Sequence, residues 1–179
     1  IYQVGFQTND SNFKTQLTRV KQLSIENLVF LGHDTMGQAM AEARQFGISA
    51  QFYTLGTISS PGYQRLAGNA AQGARVAFWK TPKSTAYFDF AKSFQKRVGR
   101  PPILDLASVP SYDAARMVVQ ALKSASRVDG QIDRGQLRSH LYNSRGFKGI
   151  SGELKIDSDG ASRSLREAIY KFNNGELLE

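Results

Sequence analysis

Two short segments carry the side chains with most chemistry to offer, Gly32-His33-Asp34-Thr35 and Gly56-Thr57-Ile58-Ser59-Ser60. Each follows a strand-like run and leads into a helix-like one. Open parallel sheets bind ligands just beyond the carboxyl ends of their strands, and the free amides of a helix start favour a carboxylate or other anion. His33, Asp34, Thr35, Gly56 and Thr57 are therefore the candidate ligand contacts. Capping alone accounts for Thr35 and Ser60, whereas His33 and Asp34 have no such ordinary employment. Covalent or acid–base catalysis is poorly served. There are two histidines and no cysteine, and His140, between Leu137 and Leu141 on an amphipathic pattern, reads as structural. Adjacent residues such as His33 and Asp34 seldom converge on one reacting atom. No phosphate-loop, dinucleotide or nucleophile-elbow motif is present. The reading is a binder, with no catalytic residue, no metal and no cofactor.

Two weaker patterns resolve the same way. Asp157-Ser158-Asp159-Gly160 lacks the third acidic position of a calcium loop and would place Ala168 where a bidentate glutamate belongs, so it reads as a turn. Asn9-Asp10-Ser11 fits a glycosylation acceptor, a common chance match.

The elements that must position these residues follow from periodicity. The first eighty residues alternate strand and helix, which gives an α/β class with a parallel sheet. Strands are expected at Ile1 to Phe6, Asn27 to Leu31, Ala50 to Thr54 and Ala74 to Lys80. Asn9-Asp10-Ser11 would start the first helix, with Phe13, Leu17 and Val20 on its inner face. Thr35 and Gln38 form a capping box for the second, whose buried face is Met36, Ala39 or Met40, Ala43 and Phe46, with Gly47 as its stop. Ser60-Pro61 starts a short third helix. The pattern then changes to three successive helices, Ser84 to Val98, Ser111 to Ala125 and Asp133 to Tyr142. The middle one carries two apolar stripes, Tyr112-Ala115-Val119-Leu122 and Ala114-Val118-Ala121-Ala125. The end is β, from Gly149 to Ile156 and from Arg166 to Phe172, closed by an Asn173-Asn174-Gly175 turn.

Composition sets the outer bounds. With 179 residues, 41% hydrophobic and 21% charged, the chain is in the globular range, and no apolar run approaches membrane-spanning length. Its formal charge of +8 comes from 23 scattered Lys and Arg without a run of three. The densest patch, Lys83 to Arg100, is the solvated side of an amphipathic helix, so nucleic acid is not the expected partner. The absence of cysteine is compatible with an oxidising compartment. The chain opens without a Met or an apolar leader, so any targeting signal is expected upstream or already removed.

The order of elements and several local strings resemble the type I periplasmic binding proteins of the receptor-ligand-binding family, near the branched-chain amino-acid branch. The strings are Phe13-Lys14-Thr15-Gln16-Leu17, Asn27 through Gly32, Met36-Gly37-Gln38 through Gln45-Phe46-Gly47, Ala67 through Gly73, Tyr112-Asp113-Ala114, and Phe147 through Gly152 leading to Asp157-Ser158-Asp159-Gly160 and Asn173-Asn174-Gly175. The resemblance implies two α/β lobes with ligand in the cleft between them. Residues 1–79 and 147–179 would belong to the second lobe and 80–146 to the first, with the missing N-terminal half of the same protein completing the cleft. It further implies an extracytoplasmic, periplasmic location and service to an ABC importer, with a small-molecule solute and the cognate membrane permease complex as partners. Oligomeric state is left open, and a ligand-sensing or regulatory module of the same fold is the alternative. In family members that bind amino acids, the loop after the second of these strands carries an aromatic contact and the loop after the third an acidic residue for the ligand ammonium. Here those positions hold His33 and Asp34, and Gly56. An ammonium left unpaired in a desolvated cleft costs several kcal/mol, so an ordinary α-amino acid fits only where Asp34 substitutes.

Overall fold

The computed structural model describes residues 1–7, 10, 12–102, 105–126, 130–143, 146–162 and 166–179, with backbone alone for 105–107. Asn9 and Ser11, and with them the possible acceptor and helix start, lie outside the described residues. The chain divides into two compact units, Ile1–Phe78 with Ala168–Glu179, and Trp79–Glu167.

The first unit is built on β1 (Asn27–Phe30), β2 (Gln51–Leu55) and β3 (Arg75–Trp79), which are parallel, followed by β6 (Glu167–Asn173) and β7 (Glu176–Leu178) in the order β1-β2-β3-β6-β7. It has the expected α/β architecture. β6 runs antiparallel to β3, as the bonds from Gly73 N–H to Phe172 O and from Phe172 N–H to Ala74 O show at one end and that from Lys80 N–H to Arg166 O at the other. The β6–β7 hairpin turns through Asn174 and Gly175, both at positive φ (48° and 87°), the backbone that a two-residue hairpin needs to follow strand twist. α1 (Lys14–Gln22) precedes β1, and α2 (Thr35–Gln45) and α3 (Pro61–Ala67) lie between successive parallel strands.

Period-two burial selects one face of the sheet. Phe30, Phe52, Thr54, Val76, Tyr170 and Phe172 are buried, while Val29 is 58% exposed, Leu55 42% and Ile169 58% on the other face. The buried side meets Met36, Ala39, Met40 and Ala43 of α2 and Tyr63 and Ala67 of α3. The two helices approach to backbone contact, because a Cβ on Gly37 would overlap the Tyr63 carbonyl. Arg44 closes the far end of α2. Its Nη1 donates to Ile48 O and Ala50 O at 2.7 and 3.1 Å, its guanidinium lies 3.6 Å from the centre of the Phe52 ring, and burial lowers its pKa.

The second unit contains α4 (Thr85–Val98), α5 (Asp105–Ala125), α6 (Arg134–Asn143) and the two-residue strands β4 (Phe147–Lys148) and β5 (Glu153–Leu154), which pair antiparallel. Tyr87, Val109 and Ile150 form its core, with Phe90 against it. Asp113 of α5 is fully buried, and its Oδ2 accepts both the N–H and the hydroxyl of Ser151 at 2.7 Å. This joins Tyr112-Asp113-Ala114 to the Gly149-Ile150-Ser151-Gly152 loop. A Cβ on Gly149 would overlap that carboxylate.

Several expectations are corrected. Ile1 to Phe6 forms no ladder and is exposed throughout, since strand patterning satisfies no backbone group without a neighbour to pair with. Thr35 is no cap: Asp34 occupies the N-cap position without a side-chain bond, and Gln38 Nε2 donates to Glu42 Oε1 instead. Phe46 is half-buried, not a core residue. α5 begins at Asp105, six residues before the expected start, because it accommodates Pro110. Only Ala121 and Ala125 of its two stripes are buried, and Tyr112, Val118 and Val119 are exposed. The stretch from Gly149 to Ile156 is not one strand but the turn of the β4–β5 hairpin, the two-residue β5 and its exit. Residues 147–167 group with the helices in the second compact unit, and Ala168–Glu179 with the first.

Candidate ligand-binding site

The predicted positions gather at the carboxyl ends of β1 and β2, within the first unit. Register sets this geometry: Phe30 pairs with Thr54, so the segments from Leu31 and from Leu55 leave the sheet side by side. Gly56–Ser59 makes one 3-10 turn, and Ser60 then caps α3, its Oγ accepting the Tyr63 N–H at 3.1 Å with Pro61 at the first helical position.

The two loops are bonded to each other. The Thr57 hydroxyl donates to Gly32 O at 3.0 Å, and the Ser60 hydroxyl donates to Asp34 Oδ1 at 2.5 Å. Beneath them, Thr54 Oγ1 donates to Phe30 O at 3.0 Å and meets the Tyr63 hydroxyl at 3.2 Å, all buried. Burial pushes the Tyr63 phenol up to about 12, so at neutral pH it is an uncharged support.

Of the predicted residues, His33 is exposed with its carbonyl accepting the Met36 N–H. Thr35 is in the first turn of α2. Thr57 is half-buried and committed to Gly32. Asp34 is solvent-exposed; its Oδ1 accepts a hydrogen bond from the Ser60 hydroxyl and its other oxygen lies where a side chain on Gly62 would be. Gly56 is buried, and a Cβ there would overlap the Phe78 ring. Sequence reasoning brought the two loops together correctly as a cluster but missed Phe78, Gly62 and the Ser60–Asp34 bond. The available signal was register: with Leu55 opposite Ala77, Gly56 must fall beside Phe78.

The rim offers hydroxyls, an exposed imidazole and apolar residues at the strand ends. Among the described residues no three His, Cys, Asp or Glu cluster as metal ligands, and no helix is long and apolar enough to cross a membrane. In the second unit a groove of about 250 Å³ between α5 and α6 is lined by Met117, Gln120, Ser124, His140 and Leu141 among others, which makes His140 a wall residue there.

Several proteins named for solute binding are similar to this chain. The chain is 22% identical over 174 residues to the leucine-, isoleucine-, valine-, threonine- and alanine-binding protein of Pseudomonas aeruginosa, covering 94% of this chain and 44% of that one. The fold matches the leucine binding protein of Thermotoga maritima with a TM-score of 0.82 at 22% identity, over 97% of this chain and 49% of the other. It also matches an ABC-transporter solute binding protein of R. palustris, solved in complex with benzoate, with a TM-score of 0.73 at 16% identity, over 97% and 47% of the two chains. The chain thus spans about half the length of these relatives. A periplasmic binding protein family model matches residues 1–175, and the chain belongs to that family.

Proposed function

We propose that this chain is part of the extracytoplasmic solute-binding component of an ABC importer, and that the rim formed by His33, Asp34, Thr35, Gly56 and Thr57 takes one side of a small polar organic solute, an amino-acid-like or carboxylate compound. The observation that carries the reading is the pair of bonds Thr57–Gly32 and Ser60–Asp34, which hold two strand-end loops in one preformed polar rim. Ligand sites are largely preformed, and ordering them in advance lowers the cost of binding. Family membership and the solute-binding names of the relatives support the same conclusion. Residues 80–146 would come from the first lobe, and the cognate permease would be the partner after capture.

The test is a thermal-shift screen of the full-length protein against amino acids, aliphatic and aromatic carboxylates and short peptides, because a ligand that binds only the folded state raises the midpoint. A shift of several degrees that His33→Ala or Thr57→Val diminishes is the expected result. A flat response across the panel would overturn solute capture and leave the ligand-sensing or regulatory module.

A further inference from the structure

The net charge of the chain is unevenly placed. Trp79–Glu167 holds 16 of the 23 Lys and Arg and 9 of the 15 Asp and Glu, a net +7, whereas Ile1–Phe78 with Ala168–Glu179 holds 7 and 6, a net +1. Within the second unit the charge is concentrated on α4 and the residues that end it. Tyr87 is buried, and Phe90, Ala91 and Phe94 are half-buried, so that side of the helix is committed to the core. Lys92, Lys96, Arg97 and Arg100 stand exposed, none held by an acidic side chain among the described residues, and Asp89 is the one acidic residue on the helix. Phe88 is 59% exposed and heads the stripe of which Lys92 and Lys96 are the next two members, each four residues on.

The negative end of the helix dipole favours cations in the last turn, where Lys96 and Arg97 are found. It reaches neither Lys92 nor the exposed Phe88 ring. An outward stripe of lysine also suits a protein partner poorly, because protein interfaces are depleted in lysine and close over packed apolar anchors. It suits an array of phosphates, which attracts each nearby cation in turn and asks for no matching shape. An aromatic ring at the border of such a face can seat at the level of the headgroups.

We propose that α4 is a docking surface for an anionic lipid bilayer, with Lys92, Lys96, Arg97 and Arg100 against headgroup phosphates and Phe88 at headgroup level. This surface belongs to the second unit alone and does not depend on which solute the strand-end loops take.

Vesicle co-sedimentation of the full-length protein tests it, with phosphatidylcholine alone and with about one-third phosphatidylglycerol, in about 0.1 M salt, where exposed charges are screened beyond roughly 10 Å. Binding to the anionic vesicles should be tighter by about tenfold or more, and Lys92→Glu/Lys96→Glu should lose about tenfold or more. Lys14→Glu/Lys171→Glu removes the same charge from exposed positions of the first unit and should change binding by less than about twofold. Phe88→Ala should weaken it about threefold. All of these side chains are exposed, so the melting midpoint should stay at that of the parent. Equal binding to the two kinds of vesicle overturns the proposal. Equal losses in the two double variants overturn it as well, because net charge and not α4 would then govern binding. Retention on polyglutamate without retention on vesicles also overturns it and gives α4 an acidic protein partner instead.

Discussion

Each unit fixes a loop onto a helix, and they do it with opposite chemistry. In the first, the loops after β1 and β2 are tied to α3 by hydroxyls: Thr54 with Tyr63, Thr57 with Gly32, Ser60 with Tyr63 and Asp34. Every buried member of that relay is neutral. In the second, a single buried carboxylate, Asp113, holds the Gly149–Gly152 loop through both donors of Ser151, and its Oδ1 has no partner. Neutral hydrogen bonds exchange water for protein at small net gain, about 1 kcal/mol each. A buried charge has lost its hydration and depends on the few donors it keeps. The relay should therefore degrade gradually and the carboxylate anchor abruptly.

The largest expected effect tests the anchor. Asp113→Ala leaves the Ser151 donors buried and unpaired and opens a cavity, costing about 3–4 kcal/mol in chemical denaturation. Asp113→Asn keeps one acceptor and should cost roughly half as much. Equal, small losses for both would place the hold on this loop in packing instead.

Next is the pH dependence of the relay. The Tyr63 phenol has its folded pKa raised to about 12 from 10.0, so the folded state retains a proton that the unfolded chain gives up. The stability this confers is present below pH 10 and lost as pH rises toward 12, a fall of about 2–3 kcal/mol over that window. Tyr63→Phe should remove that slope while costing only about 1 kcal/mol at neutral pH. A difference between the two proteins that stays constant from pH 8 to 11 would show that the phenol is not protected.

The smallest effect is at the cap. Ser60→Ala should cost about 1 kcal/mol, and Asp34→Ala less, because Ser60 still caps α3 without it. The double variant should match Ser60→Ala closely if Asp34 acts only through that hydroxyl, and a double-mutant cycle measures this directly.

Legibility in the sequence followed how local each feature is. Helices with alternating apolar spacing and a clear stop, such as Met36 to Gly47, were readable because their determinants lie within one turn or two. The Ser60-Pro61 start and the Asn174-Gly175 turn were readable for the same reason. Ile1 to Phe6 was misread because strand patterning says nothing about whether a partner exists. Thr35 was misread as a cap because Thr and Gln at the right spacing fit a box, while the chain turned one residue earlier, at Asp34. The site divided likewise. That the two loops meet at neighbouring strand ends was legible from the alternation of elements. Its contents were not, because Asp34 is claimed by Ser60, 26 residues away, and Gly56 is claimed by a ring on the neighbouring strand. Both claims depend on register, which one strand's sequence does not contain.

The first unit is also discontinuous in the chain: β3 ends at Trp79, and β6, its neighbour on the other side, begins at Glu167. A ribosome adding about 5–20 residues per second needs roughly 5 to 20 seconds to supply the intervening stretch. For that interval the outer edge of β3 is a bare template, with unpaired amides and carbonyls open to any extended segment nearby. Efficient production therefore depends on how fast Trp79–Glu167 collapses into its own compact unit and delivers β6 to that edge, which makes the order of synthesis a determinant of yield.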